Sequence, residues 1–375
     1  MDIVVKQVVS KSDLKKFINF PFELYKNHPY NVPPLKFDET ATLSKDKNPA
    51  FDYCEAKYWL AYKNNKVVGR IAGILNKSYI EKWGNKYLRF GWIDFEEDEN
   101  IAKALLDAVE NWARELGMVA VHGPMGFTDL DFEGMLVEGF DQLGTLATIY
   151  NYPYYPKYIE NLGYTKDVDW VEYKITLPKE VPEKLEKLAS IVKRRCNLHV
   201  ADIKKAKEIK KYAPDIFHLI NTTYADLHGV VPLTNKQIKT YTDQYFSFIK
   251  PDFVPLVLDS NGKMVAFAVS MPSLSKALQK AKGNILPFGF VHILKAMKKN
   301  NLGDLYLVGV DKEYQGKGVN AILMHELTKT FLKHKIEFAE SNPELELNKS
   351  VQAIWQYYDA TQHKRRRCYI KHLNT

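Results

Sequence analysis

The 375-residue chain carries a formal charge of +8, with 46% apolar and 26% charged residues, proportions of an ordinary globular protein that exclude wholesale disorder and a coiled-coil rod. At about 150 residues per domain its length calls for two domains, and its charge suits nucleic acid, anionic lipid or a polyphosphate without choosing among them. Cys54, Cys196 and Cys368 share no CxxC spacing, which speaks against a disulfide framework or a zinc site and for a reducing cytoplasm, and no apolar run approaches the ~18 residues of a membrane span.

The alternation Ile3, Val5, Val8 predicts a first strand, Ser10 or Ser12 starts a helix, and the prolines between 29 and 34 impose an irregular stretch. Residues 58–63 and 66–75, parted by Asn64-Asn65, read as a hairpin, and 89–95 as a third strand. Ile101, Leu105, Ala108, Val109, Trp112 and Leu116 recur at three and four, with Gly117 as the stop, which predicts an amphipathic helix packed on a sheet. A short buried strand at 119–122, a helix at 154–162 and an alternating strand at 170–177 close the first half.

Residues 178–197 hold Pro178, Pro182 and Lys193-Arg194-Arg195, with Leu185, Leu188, Ile191 and Val192 at helical spacing. A connecting helix there sets the expected division: a domain at 1–178, a linker helix at 179–197 and a second domain at 198–375. The second half repeats the order of the first. Strand 198–203, helices 214–227 and 235–249, and a hairpin of 254–258 with 264–270 around Asn261-Gly262 come first. A basic, partly apolar insertion at 274–300 follows, then strand 305–310, helix 320–334, strand 337–340, helix 348–358 and strand 367–372. One element order occurring twice is a repeat at the level of fold.

Between strand 305–310 and helix 320–334 lies Asp311-Lys312-Glu313-Tyr314-Gln315-Gly316-Lys317-Gly318-Val319-Asn320. Glycines let successive N–H groups turn toward one point, and the helix N-terminus adds partial positive charge worth ~0.3–2 kcal/mol toward an anion. A pyrophosphate suits such a loop, and Lys312 and Lys317 add charge. The equivalent turn of the first half, Phe95-Glu96-Glu97-Asp98-Glu99-Asn100, has no glycine and four carboxylates. It cannot cradle phosphate, and its acids read as dipole partners of the helix that follows.

Gln315-Gly316-Lys317-Gly318 resembles the Gln/Arg-x-x-Gly-x-Gly/Ala motif of GNAT acetyltransferases, with Asn320 at the place usually held by Gly or Ala. Glu340, Pro343, Leu345, Glu346 and Asn348 resemble the run before the last GNAT helix, with Asn342 where serine is usual. The blocks Tyr25-Lys26-Asn27-His28-Pro29, Val32-Pro33-Pro34, Gly123-Pro124-Met125-Gly126-Phe127 and Glu138-Gly139-Phe140-Asp141 are similar to those of a YghO-like group of tandem bacterial acetyltransferases.

The resemblance implies an α/β (α+β) protein of two tandem GNAT-like domains, each a mixed, mostly antiparallel sheet flanked by helices. It implies an N-acyltransferase that uses acetyl-CoA or another acyl-CoA as co-substrate, without a metal. Carried over, the cofactor is held by Gln315, Gly316, Lys317, Gly318, Val319, Asn320 and Asn348, and backbone amides of Val308 to Val310 polarise the thioester. Trp355 stands where the last helix usually carries an acidic tyrosine, which leaves Tyr358 as the candidate acid, and Glu340 is the candidate base. The acceptor is a small-molecule or peptide amine, and no nucleic-acid partner is expected. In the first half Asp129, Asp131, Glu133, Glu138 and Asp141 with Tyr150, Tyr152, Tyr154 and Tyr155 read either as a seat for a cationic amine near the interdomain cleft or as a solvated loop over a tyrosine core. Two other functions stay open: a tRNA-dependent aminoacyl transferase, and a non-catalytic CoA-binding or regulatory protein.

Overall fold

The computed structural model describes residues 2–246 and 249–373. They form two compact units, unit 1 from Met1–Val171, Ser275–Ile293 and Lys364–Thr375 and unit 2 from Glu172–Leu274 and Leu294–His363.

In unit 1 the strands run in the order Val4–Gln7, Cys54–Lys63, Lys66–Asn76, Tyr87–Phe95, Ala120–Gly123. All pairs are antiparallel except the last, which is parallel. Asn64 and Asn65 take left-handed φ values of 53° and 62°, which match a tight hairpin turn to the strand twist. Helix Glu99–Glu115 covers one face with Ile101, Leu105, Val109 and Trp112, and burial of each such side chain stabilises the unit by ~1.5–3 kcal/mol. Helix Lys11–Leu24 covers the other face through Phe17 and Ile18. Asp98 caps the first of these helices, accepting from the Asn100 amide at 3.0 Å and pairing with Lys63 at 3.0 Å. Acids in that turn thus serve the helix dipole, as the missing glycines suggest.

Unit 2 repeats the plan with His199–Val200, Leu256–Leu258, Met264–Pro272, Leu302–Val310 and Phe338–Ser341, again with only the last pair parallel. Helices Glu183–Arg195 and Asn320–Lys333 share one core, in which Leu185, Ala189 and Val192 meet Ile322, Leu327 and Phe331. The segment expected to be a linker is therefore a packed helix of unit 2. The helix expected at 235–249 is observed as Asn235–Tyr245, and positions 247 and 248 lie outside the described residues. The helix expected at 348–358 is one α-turn, Lys349–Gln352, followed by a 3-10 turn, Ala353–Tyr357.

The two closing strands differ from expectation. In unit 1, Ala120–Gly123 is paired antiparallel with 369–372, and in unit 2, Phe338, Ala339 and Glu340 are paired with Thr176, Ile175 and Lys174. Each unit is completed by the strand that chain order assigns to the other half. The insertion divides as well: helix Ser275–Ala281 lies in unit 1, where Gln279 Nε2 donates to the carbonyls of Pro29 and Asn31 at 2.8 and 3.0 Å.

Candidate active site

Strand Leu302–Val310 positions the site in unit 2. It pairs with Phe338–Ser341 only from Leu302 to Leu305, and the Asn342 amide closes that edge by donating to the Leu305 carbonyl at 2.9 Å. Along its other edge it stays paired with Met264–Pro272 up to Val310, with one irregularity where Tyr306 is skipped. A bulge bends a strand and increases its twist, and beyond it the two parallel strands part. Asp311 N–H donates to the Val265 carbonyl at 2.8 Å. By the alternation of an antiparallel ladder, Val308 and Val310 then turn their N–H and C=O groups to the open edge.

Two side chains reach that edge. Tyr224, which ends helix Ala213–Thr223, donates its hydroxyl to the Val308 carbonyl at 2.9 Å and accepts the Val308 amide at 3.3 Å. Gln315 Nε2 donates to the Val310 carbonyl at 3.0 Å. From Val310 the chain passes through a single 3-10 turn, Lys312–Tyr314, into the glycine loop. Gly316 and Gly318 have φ of 71° and 84°, the left-handed region where a side chain is strained. A Cβ on Gly318 would also lie 3.2 Å from Val192 of the helix beneath. Helix Asn320–Lys333 begins at Val319 with no side-chain cap, and the loop residues 315–318 are exposed. Asn320 Oδ1 is buried without a hydrogen-bond partner. The Ala321 and Ile322 amides turn back to the Gly318 and Val319 carbonyls at 2.9 and 3.0 Å, so the anion seat is formed by the loop amides up to Asn320 beside two left-handed glycines, to which Lys312, Lys317 and Arg195 bring positive charge; the Arg195 guanidinium donates to the Lys317 carbonyl at 2.7 Å. The residues present fit the pyrophosphate of a coenzyme A thioester.

Glu340 sits one position before the strands part, paired in register with Asp304, and is buried. Its Oε1 lies 3.2 Å from His363 Nε2, a nearly buried imidazole. His363 carries no signal in the sequence, because nothing local tells which strand residue faces a carboxylate elsewhere in the chain. Asp304 accepts the Tyr306 hydroxyl at 3.0 Å. Burial, and then the Asp304 charge, hold that phenol well above the usual tyrosine range.

Tyr358 stands elsewhere. Thr328 Oγ1 donates to the Met324 carbonyl at 2.7 Å, so the Tyr358 hydroxyl, 2.8 Å away, donates to Thr328. Burial pushes this phenol up to about 12. Its proton is thereby held in the helix-side core. Trp355, which replaces the usual tyrosine, donates its indole N–H to both oxygens of Glu344 at 3.1 and 3.2 Å. Burial drives the Glu344 carboxyl up to about 7 against the lowering effect of that bond and of Ser341. Asn348 caps a short helix, its Oδ1 accepting from Val351 at 3.4 Å.

In unit 1 the corresponding space is filled by the chain itself. After Arg89 and His122, the last paired positions, Met125 N–H donates to the Phe90 carbonyl at 2.8 Å and Arg89 Nη1 donates to the Gly126 carbonyl at 2.9 Å. Phe127 is fully buried. Of the acidic and aromatic residues singled out there, Asp131 accepts from the Thr128 amide at 2.9 Å and is pushed up to about 6 by burial. Around Asp131 the segment is thus partly desolvated, whereas Glu138 and Asp141 are exposed and Tyr150 and Tyr155 are buried in the core. Tyr150 lines a tight recess with Tyr25, Glu39, Arg70, Trp92 and Asp94, in which Arg70 Nε meets Asp94 at 2.7 Å.

Known proteins share this fold. Residues 214–356 match the acetyltransferase (GNAT) family. Protein YghO of Escherichia coli (strain K12) is 29% identical over 379 residues, covering 99% of this chain and 95% of that protein. The bacterial ceramide synthase of Caulobacter vibrioides is 26% identical over 384 residues, covering 99% and 98%. Among solved structures, a tandem GNAT protein from the clavulanic acid biosynthesis pathway superposes with a TM-score of 0.55 at 11% identity, covering 100% of this chain and 99% of that one. A GCN5-related N-acetyltransferase from Sphaerobacter thermophilus gives 0.53 at 12% identity, covering 100% and 96%. Residues 214–356 are thus a domain of the acetyltransferase (GNAT) family, in a chain whose fold follows the tandem GNAT plan from end to end.

Proposed function

We propose that this protein is an acyl-CoA-dependent N-acyltransferase whose chemistry lies in unit 2. The observation that carries this reading is the open edge of Leu302–Val310 running straight into a two-glycine loop at an uncapped helix N-terminus. Acyl-CoA supplies the acyl group as an activated thioester. The amides of Gly316, Gly318, Val319 and Asn320 bind its pyrophosphate, with Gln315 fixing the strand end. The Val310 amide faces the acyl oxygen and favours charge developing there. Glu340, with His363 as its partner, takes the proton from the amine as the C–N bond forms and the C–S bond breaks. Tyr224, whose hydroxyl already lies on the strand edge, delivers a proton to the departing sulfur in place of Tyr358.

The acceptor is an amine. For unit 1 we propose a role in its recognition, supported by Glu39, Asp94, Trp92 and Tyr25 around one recess. One relative is named a ceramide synthase, which supports testing long-chain thioesters and amines beside acetyl-CoA. The three cysteines are unpaired thiols, which supports a cytoplasmic setting.

Calorimetric titration with acetyl-CoA and palmitoyl-CoA tests the reading. Wild type is expected to bind at least one, with binding lost in Gly318→Glu and weakened in the milder, surface Lys317→Glu. Transfer to an amine panel, followed by mass spectrometry, is expected to stop in Glu340→Gln. Failure of wild type to bind either thioester sinks the acyltransferase reading, and binding without transfer to any amine favours a non-catalytic CoA-binding protein.

A further inference from the structure

The insertion between the second hairpin and strand Leu302–Val310 plays no part in the site. Its base is firmly held in unit 1. The Lys36 amide donates to the Gly283 carbonyl at 2.9 Å, and Gly283 lies against Phe22 so closely that a Cβ would come within 2.2 Å of the ring. Beyond this anchor the chain turns outward through an ordered tip, in which the Phe290 amide donates to the Ile285 carbonyl at 2.8 Å and the Val291 amide to the Phe288 carbonyl at 3.1 Å. Helix Gly289–Lys298 follows.

What this tip presents is apolar. Leu286 is 75% exposed, Phe288 71% and Leu294 63%, and Phe290 is exposed beside them. Phe290, Ile293, Leu294 and Met297 fall at i, i+3, i+4 and i+7 on one helix face, yet Gly289 is the helix's one buried residue. Single exposed apolar residues are ordinary, but a contiguous group held on a rigid base marks an interaction surface.

Charge selects the partner. No Asp or Glu occurs from position 260 to 303, while Lys276, Lys280, Lys282, Lys295, Lys298 and Lys299 all lie in that stretch and all are exposed. A protein partner that buried the tip would have to match six lysines. An anionic bilayer meets both demands at once, taking the Leu and Phe side chains into the acyl boundary and the lysines among its headgroups. Among the described residues no helix is long and apolar enough to cross a membrane, so the contact is peripheral. We propose that Leu286, Phe288, Phe290 and Leu294, with the lysines that flank them along the chain, dock the protein on the surface of an anionic lipid bilayer.

Co-sedimentation of the full chain with vesicles tests this, comparing phosphatidylcholine alone with phosphatidylcholine containing roughly one quarter phosphatidylglycerol. The expected result is binding to the anionic vesicles, weaker binding to neutral ones and loss at high salt. The double substitution Leu286→Asp/Phe288→Asp is expected to weaken binding roughly tenfold or more. Lys295→Glu/Lys298→Glu, at two exposed positions, is a second variant should the first fail to fold, and it should also abolish the anionic preference. Absence of vesicle binding by wild type, or equal binding by both variants, overturns the proposal. So does a concentration-dependent dimer that the apolar double variant splits, because the tip would then serve a second copy of the chain.

Discussion

Glu39 and Glu344 show the same local device in the two units: a buried carboxyl held by an indole N–H, Trp92 for the first at 2.9 Å and Trp355 for the second. Burial lifts each to about 7. For Glu344 the folded value lies above the ordinary one of 4.5, so the folded protein holds a proton that the unfolded chain has released. Stability from this group is complete below about pH 4.5 and is lost as pH rises toward 7, by an amount on the order of 2–3 kcal/mol. Glu344→Gln keeps an acceptor for Trp355 and has no charge to bury. Its melting temperature is expected to match wild type near pH 4.5 and to exceed it at pH 8; parallel curves across that range would show that the carboxyl does not titrate there. Trp355 stood out in the sequence because it breaks a tyrosine pattern. Its partner did not, since a turn through Pro343, and no helical spacing, brings Glu344 under the indole.

At the scale of elements, two copies of one strand pair part in the same way and meet different fates. In unit 2 the gap opens onto a hydroxyl and a glycine loop. In unit 1 the segment 124–127 lies along the strand edge, and this requires Gly91, where a Cβ would approach the Met125 carbonyl oxygen to 2.5 Å. Gly91→Ala is expected to lower stability to denaturant by ~1–3 kcal/mol through overpacking against backbone that cannot swing away. An unchanged unfolding midpoint would mean that the wedge is not tightly filled. The lack of a phosphate loop in the first half was legible from Phe95 to Asn100, because a close approach of backbone to phosphate favours glycine and that stretch has four carboxylates and no glycine. The plug was legible only as a block of residues, Gly123 to Phe127, since no local pattern says that a stretch of chain will occupy a gap. Glu340 and the loop residues were proposed for the site from their spacing to a motif. Tyr224 and His363 had no such spacing, because Tyr224 meets Val308, and His363 meets Glu340, only through the fold.

For the whole molecule, the repeated element order was legible and the ownership of the closing strands was not. Strands 170–177 and 367–372 alternate in the same way, and period-two alternation fixes which face is buried but not which partner is chosen. The core of unit 1 includes Tyr369 and Leu373, and that of unit 2 includes Ile175. Fragments 1–178 and 198–375, produced separately, are therefore each expected to lack a cooperative melt and to aggregate through an unpaired sheet edge. A sharp two-state transition in either fragment alone would contradict this.

The same closing strand bears on synthesis. Most of unit 1 is made early, but Ala120–Gly123 waits for the residues that complete its sheet until nearly all of unit 2 has been translated. During that interval the nascent chain exposes a strand edge and the floor of a core, the surfaces on which chaperones act and through which unfinished chains associate. Translation that stalls within unit 2 thus leaves two unfinished units rather than one finished and one missing, so that quality control of this protein is decided by its last strand.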